Sequence, residues 1–211
     1  NSWLRPWRRV MRRFTSLIKF SLVALLLGGA CLGCGAQSAG TDGLAAARQV
    51  FFVRHSEREI DGEDPPLTAL GVARAQALAA TLRDAGIGAI ITTQWRRTRD
   101  TAAPLAAILR IAPEVVPVYE GKAVENNQAV AAAVRRHKDE IVLVVGHITV
   151  TGVIAALGGP RLPTICDNVF SDLFQLTPGL GEQGLVHLHY GAVEQISPNC
   201  RISAPPSERR E

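Results

Sequence analysis

The sequence predicts an α/β fold, a three-layer α/β/α sandwich with a mostly parallel central sheet. Strand-like and helix-like segments alternate along the chain from residue 49 onward, which is the pattern of a sheet covered by helices on both faces. Two of the strand-like segments, 50–53 and 141–145, are apolar throughout. Such runs are typical of strands buried on both sides, so we expect these two at the centre of the sheet.

The first strand is predicted over residues 49–54, and a helix follows over 67–84. Thr68 is suited to cap the start of that helix, and Gly86 is suited to end it. An amphipathic helix buries the residues that share one arc of its surface. We expect the buried arc to contain Leu67, Leu70, Leu78 and Leu82.

The alternation continues to the end of the predicted domain. Proline is unfavourable inside a helix and is accommodated at the edge of a sheet, so Pro104 weakens the second helix and Pro117 marks an edge strand. The segments are strand 89–93, helix 97–110, edge strand 114–119, helix 123–137, strand 141–145, helix 149–159, and strands 169–176 and 184–190.

Residues 1–34 are predicted to be a signal peptide. They contain six basic residues and no acidic one, and the basic part precedes a short apolar stretch and small residues. Met11 is the only methionine and is a plausible true start. Without these six positive charges the formal net charge of +4 becomes −2, so nothing favours a nucleic-acid partner.

Two cysteines near the end of this segment, Cys31 and Cys34, follow small residues and resemble the lipidation site of a bacterial lipoprotein signal. Soluble secretion is the alternative, and an uncleaved anchor is another. We expect an exported protein of the periplasm or cell envelope that contacts membrane only through this signal or a lipid anchor. A linker, 35–48, then leads to a domain over 49–192 and a tail over 193–211.

The domain and its tail contain one further pair of cysteines, Cys166 and Cys200. In an oxidising compartment these could form a disulfide that pins the tail to the loop near residue 166. Two unpaired thiols are the alternative.

Polar residues follow directly after the two central strands. One strand ends in Arg54 and His55, and the other ends in Gly146 and His147. Sheets of this class bind ligands beyond the carboxyl ends of their strands, so we expect both histidines at one crevice. Gly146, which lacks a side chain, would allow a close approach to His147.

A third segment contributes an arginine to the same crevice. The second helix begins near Arg97, with Arg96 and Arg99 beside it as predicted surface charges. A helix start attracts anions, and arginine pairs with phosphate oxygens in bidentate fashion at any working pH. The pattern indicates a site for a small dianion such as a phosphate group.

Three motifs of the sequence resemble those of the histidine phosphatase superfamily, the phosphoglycerate-mutase-like proteins. The first, "VRHSE", has Ser56 where the family usually has glycine. The others are "TTQWRRTRDTA" and "VLVVGHITV", and "DPPLTALGVARAQALA" is similar to the segment that usually follows the first motif. The resemblance covers residues 48–192 and implies a phosphoglycerate-mutase-like fold.

The resemblance also implies a catalytic scheme without metal or cofactor. His55 would be the nucleophile, and three groups would hold the phosphate oxygens: Arg54, Arg97 and His147. A carboxylic acid would protonate the leaving group, with Glu120 as first candidate and Glu125 as second. Glu57 is expected at the pocket rim.

The predicted function is therefore hydrolysis of a small phosphorylated substrate through a phosphohistidine. A phosphomutase that uses the same covalent step is the first alternative. A non-catalytic envelope lipoprotein that binds a phosphorylated ligand is the second. The sequence leaves the substrate and the oligomeric state open.

Two further histidines, His187 and His189, share one face of a predicted strand. They could in principle bind a metal, but the sequence shows no third ligand, so a solvated strand face is the favoured interpretation. Thr149 and Thr151, which follow His147, could donate to a phosphate or cap the next helix.

Overall fold

The structure is a computed structural model that describes residues 47–147 and 150–194. Several sequence predictions lie outside these residues: the signal peptide, lipidation at Cys31 or Cys34, the position of Cys200 and the role of Thr149. Within the described ranges, no helix has both the length and the apolar character needed to cross a membrane.

A six-stranded mixed sheet forms the middle layer, in the order β3-β2-β4-β1-β5-β6. The first four strands of that order run parallel, β5 is antiparallel to β1, and β6 is antiparallel to β5. The predicted fold class and the central position of β1 and β4 are confirmed. The strands are β1 Gln49–Arg54, β2 Ile87–Thr92, β3 Glu114–Val115, β4 Ile141–Gly146, β5 Asp172–Leu176 and β6 Leu185–His189.

Helices cover both faces of the sheet. Side chains alternate between faces along a strand, so Phe51 and Phe52 of β1 enter different apolar cores. One core contains α1 and α2, and the other contains α3 and α4. The helices are α1 Ala69–Leu82, α2 Arg96–Leu109, α3 Ala123–Arg136 and α4 Val150–Ala156, with a short 3-10 turn at Gly181–Gly184.

Helix α1 starts as predicted, because the Thr68 hydroxyl accepts from the backbone N–H of Gly71 at 3.0 Å. The prediction for Leu70 is wrong, since that residue is 55 % exposed. The buried arc is centred instead on Gly71, where a Cβ would lie 2.0 Å from the carbonyl oxygen of Glu57. Leu70 directly precedes Gly71 in the helix and lies outside this arc.

The two prolines noted in the sequence have different outcomes. Helix α2 spans Arg96–Leu109 with Pro104 inside it, in agreement with the predicted helix over 97–110. The edge strand contains only Glu114–Val115. Its pairing ends after the bond from Val116 N–H to Thr92 O, because the next N–H directed at β2, that of Val118, donates to the side-chain oxygen of Gln94 at 3.0 Å.

The register of the two central strands determines where the candidate site lies. Arg54 is paired with Gly146 at the carboxyl ends of β1 and β4. The next residue along β1, His55, donates its backbone N–H to the Gly146 carbonyl at 2.9 Å. Both strands therefore deliver their last residues to the same edge of the sheet.

Candidate active site

The rings of His55 and His147 stack on each other, with centroids 5.4 Å apart and planes inclined by 22°. His55 is 1 % exposed, whereas His147 is exposed. The predicted meeting of the two histidines is thus present in the structure, with one ring deep in the protein and the other accessible.

The hydrogen bonds of His55 identify its reactive nitrogen. Its Nδ1 lies 2.8 Å from the carbonyl oxygen of Ser56. A carbonyl can only accept, so Nδ1 carries the proton and Nε2 carries a lone pair. Nε2 is buried and has no hydrogen-bond partner among the described residues. His55 Nε2 is thus an unprotonated nitrogen in a buried position.

Burial lowers the pKa of His55 to about 3, and the charges of Arg54, His147 and Arg97 act in the same direction. Partial burial of its ring and the same two arginines also lower the pKa of His147, by less. The smaller effect fits the greater exposure of His147. Both imidazoles are neutral at physiological pH when the site is empty, so His55 needs no base to become a nucleophile.

Arg54 is held by the loop that follows Cys166. Its Nη1 donates to three backbone carbonyls, those of Cys166 at 2.9 Å, Asp167 at 2.7 Å and Val169 at 3.1 Å. Its guanidinium also lies 4.1 Å from the ring centroid of Phe170. Nε is buried without a partner in the described chain. Burial lowers the pKa of Arg54 to about 10, which leaves the group charged and available to an anion.

Arg97 supplies the second fixed positive charge. Its guanidinium lies 4.9 Å from the ring centroid of Trp95, and its Nε is buried with no partner among the residues described. Burial and the charge of Arg58 lower the pKa of Arg97, and Arg58 acts on His147 as well. Arg58 is therefore a further cation near the site. It was not among the predicted site residues, although it lies only three residues after His55 in the sequence.

One buried hydroxyl connects the nucleophile segment to helix α2. Thr101 Oγ1 accepts from the backbone N–H of Ser56 at 2.8 Å and donates to the carbonyl oxygen of Arg97 at 2.7 Å. The segments that carry His55 and Arg97 are thereby fixed to each other. Sequence analysis did not identify Thr101, because a threonine inside a helix is usually unremarkable.

The start of α2 is less available to an anion than expected. The backbone N–H of Arg96 donates to both carboxylate oxygens of Asp64, at 2.9 and 3.0 Å. The side chain of Arg96 forms an exposed ion pair with Asp100 at 3.0 Å, and Arg99 is exposed, in agreement with their assignment as surface charges. The first N–H of α2 is therefore already engaged by a carboxylate within the chain.

A cavity of about 500 Å³ is lined by Arg97 and His147, whereas His55 and Arg54 are not among its lining residues. Glu120 also lines this cavity, whereas Glu125 is exposed and does not. Among the candidate acids, only Glu120 therefore lines the same cavity as Arg97 and His147. The other lining residues are mainly apolar or uncharged, among them Trp95, Val118, Tyr119, Asn126, Asn127, Val150 and Val153.

Glu57, which we expected at the pocket rim, is instead part of an ion cluster. Its carboxylate accepts from Arg74 Nε at 2.9 Å and Nη2 at 2.7 Å. Arg74 also pairs with Glu194 at 2.7 Å and donates to the carbonyl oxygen of Ala192 at 2.8 Å. Arg74 was not predicted to be buried, because a charged residue in a predicted helix is usually exposed to solvent.

The remaining candidates have mixed outcomes. Cys166 is disulfide-bonded, although Cys200 lies outside the described residues. Thr151 is buried within α4. A Cβ at Gly146 would meet only the Val150 side chain at 3.6 Å, an ordinary contact, so space does not require glycine there. The side chains of His187 and His189 do have a third group beside them, the carboxylate of Asp172.

Comparison with known proteins gives a partial sequence match. Residues 50–118 match the model of the histidine phosphatase superfamily (branch 1). This segment contains Arg54, His55 and Arg97 but not His147. A probable phosphoglycerate mutase from Proteus mirabilis is 44 % identical over 69 residues, which is 29 % of this chain and 32 % of the relative. The chain thus spans about a third or less of the curated relatives it matches.

Solved structures share the fold at low sequence identity. A mycobacterial glucosyl-3-phosphoglycerate phosphatase has a TM-score of 0.50 and 17 % identity, over 61 % of this chain and 89 % of that protein. The protein histidine phosphatase SixA, solved with tungstate, has a TM-score of 0.50 and 21 % identity, over 67 % and 95 % of the two chains. Residues 50–118 are thus similar to the histidine phosphatase superfamily and to phosphoglycerate-mutase-like relatives, and the solved structures show that the fold is shared.

Proposed function

We propose that this chain, which shares its fold and the match over residues 50–118 with the histidine phosphatase superfamily, is a phosphomonoester hydrolase. The reaction proceeds through a covalent phosphohistidine on His55 and needs no metal. The observation that carries the proposal is the buried Nε2 of His55, which has a lone pair and no partner among the described residues. Two arginines with unpartnered nitrogens and a second neutral imidazole surround it.

In the first step, Nε2 of His55 attacks the phosphorus atom, and the bond from phosphorus to the ester oxygen breaks. Phosphoryl transfer depends mainly on positioning and on charge stabilisation in the transition state. Arg54 and Arg97 neutralise the non-bridging oxygens, and the exposed ring of His147 contacts the same group. Binding of the dianion favours a protonated His147, which then donates a hydrogen bond to a phosphate oxygen.

The leaving oxygen requires a proton, and Glu120 is the proposed donor because it lines the cavity with Arg97 and His147. Glu125 does not line that cavity, and Glu57 is engaged by Arg74. In the second step, water attacks the phosphohistidine while the Glu120 carboxylate accepts its proton. Inorganic phosphate leaves, and the His55 imidazole is regenerated.

A phosphomutase is the second candidate, since a relative with 44 % identity over its matched segment has the name probable phosphoglycerate mutase. A mutase returns the phosphoryl group to a second hydroxyl rather than to water. The segment between Arg97 and His147 is short and rich in alanine, and it offers little chain to enclose an intermediate. Hydrolysis is therefore the preferred reaction.

We also propose that the protein acts outside the cytoplasm on a small phosphorylated substrate. The basic and apolar segment at residues 1–34 has the order of an export signal. The disulfide bond at Cys166 agrees with an oxidising compartment. A lipid anchor at Cys31 remains part of this proposal.

The test is turnover of a chromogenic phosphate monoester by the purified protein, with and without a chelator. We expect turnover that survives the chelator and is lost in His55→Ala. Rapid acid-free quenching should trap an acid-labile phosphoryl group on the wild-type protein alone. His137→Ala is the matched control, because that histidine follows the last residue of α3 and pairs with Glu114 of β3.

Three outcomes would contradict the proposal. Undiminished turnover in His55→Ala would show that His55 is not the nucleophile. Transfer of phosphate between hydroxyls without release of inorganic phosphate would indicate the mutase. Tight binding of phosphate esters without any turnover would indicate a non-catalytic binding protein.

A further inference from the structure

Two histidines and an aspartate converge on the outer hairpin of the sheet. Asp172 of β5 is directly opposite His189 of β6. His187 lies two residues before His189 and therefore on the same face. The Nε2 of His187 is 2.8 Å from Asp172 Oδ1, and the Nδ1 of His189 is 3.4 Å from the same oxygen. Three potential ligand atoms thus surround one small volume.

The separations match those that a transition metal requires. Zinc binds imidazole nitrogen and carboxylate oxygen at about 2.0–2.2 Å with tetrahedral geometry, which places neighbouring ligand atoms roughly 3.3 Å apart. The two measured separations bracket this value, and all three ligand atoms lie within 4.8 Å of one another. Only small rotations of the side chains would be needed to receive an ion.

The surroundings also suit an ion from solvent. The Asp172 side chain is 13 % exposed, while those of His187 and His189 are 47 % and 51 % exposed. The carboxylate is therefore held in place, and the imidazoles are accessible. The ring of Phe174 stacks on His187 at a centroid distance of 4.5 Å, which restricts its orientation. Two imidazoles and one carboxylate form a donor set that zinc favours.

We propose that Asp172, His187 and His189 form a binding site for a divalent transition metal, with Zn²⁺ as the preferred ion. The site supplies three protein ligands, and water completes the coordination. It joins β5 to the edge strand β6, so the bound ion stabilises the outer hairpin. The site shares no residue with the His55 and His147 pair, and the proposal stands without the proposed function.

The test uses the full chain without a histidine tag, stripped of metal and titrated with Zn²⁺ by calorimetry. Co²⁺ serves as a second probe, because its absorption spectrum reports tetrahedral coordination. We expect one saturable equivalent of metal and a rise in Tm with metal concentration. Each of His187→Gln, His189→Gln and Asp172→Asn should weaken binding at least about tenfold, in the range seen when supporting metal contacts are lost.

The matched controls address the other histidines of the chain. His137→Gln should bind Zn²⁺ as the wild type does, although this residue also lies beside carboxylates of Glu114 and Glu140. His147→Gln tests whether zinc binds instead between the two stacked histidines. The metal-dependent shift in Tm is measured for each variant against its own metal-free form, so a change in folding does not obscure the result.

The proposal would be overturned by either of two results. One is the lack of saturable binding of Zn²⁺ or Co²⁺ to the wild-type chain. The other is binding that persists in both His187→Gln and His189→Gln but disappears in His147→Gln or His137→Gln. Neither result bears on phosphatase turnover, which is measured in the presence of chelator.

Discussion

The backbone N–H of His55 donates to the carbonyl oxygen of Gly146 at 2.9 Å, and this bond joins the two strand ends that carry the histidines. The separation of the two imidazoles is therefore set by the pairing of β1 with β4 rather than by flexible loops. A site built in this way is formed by folding itself, before any substrate arrives.

Arg97→Ala should reduce kcat/KM by about 10²–10³-fold, the usual effect of removing one charge-stabilising donor from a transition state. Arg97 lines the cavity, and its buried Nε has no partner within residues 47–147 and 150–194. Arg99→Ala is the control, because Arg99 is exposed and does not line that cavity. Steady-state kinetics on a phosphate monoester measure kcat/KM for both variants. Equal losses of kcat/KM would contradict the proposed role of Arg97.

Glu120→Gln should slow hydrolysis in a way that depends on the leaving group. General acid catalysis contributes about 10²–10⁴-fold when the leaving oxygen needs a proton. We therefore expect a large loss of kcat with an alkyl phosphate and a small one with a nitrophenyl phosphate. Glu125→Gln should leave both substrates unaffected. A loss of equal size for the two substrates would argue against proton donation by Glu120.

The stability of the fold should fall on acidification because of His55. Burial lowers its pKa to about 3 in the folded state, whereas the unfolded value is near 6.5, so unfolding takes up a proton between these limits. The resulting stability is present above pH 6.5 and is lost progressively as pH falls toward 3. From pH 7 to pH 5 the loss amounts to about 2 kcal/mol.

Denaturant unfolding at pH 7 and pH 5 measures this loss, with His55→Asn as the comparison. The variant should lose about 2 kcal/mol less between the two pH values, since the other titrating groups are common to both proteins. An identical pH dependence in the two proteins would mean that the His55 imidazole is not held neutral by burial.

Cys166→Ser should weaken phosphate binding without abolishing the reaction. The disulfide-bonded residue Cys166 begins the loop whose carbonyls hold Arg54. Loosening that loop should cost about the free energy of one hydrogen bond to a charged group. This loss corresponds to about a tenfold rise in the inhibition constant of inorganic phosphate. A reductant should have the same effect on the wild type and none on the variant. An unchanged inhibition constant would show that the loop needs no disulfide.

The central layers of the fold were predictable because they depend on periodicity and strong apolar runs. The segments 50–53 and 141–145 are buried strands, and the predicted site residues after them meet as expected. Predictions at element ends were weaker. Leu70 is exposed because the close contact at Gly71 sets the rotation of α1, and such a contact with a distant backbone leaves no mark on the local pattern.

The supporting parts of the site were not predictable, because each depends on residues far apart in the sequence. Three backbone carbonyls within residues 166–169 hold Arg54, and backbone groups have no signature in a sequence. Asp172 joins His187 and His189 only through antiparallel pairing. Arg74 is buried because two carboxylates reach it from opposite directions along the chain.

The double hydrogen bond of Thr101 has a consequence for how such a protein can change over generations. Its hydroxyl serves the nucleophile segment on one side and the arginine segment on the other, yet it is fully buried. A substitution at this position would disturb the segments that carry His55 and Arg97 at once. It would leave the side chains that a substrate contacts unchanged. Activity could therefore change during evolution through a residue that does not contact the substrate.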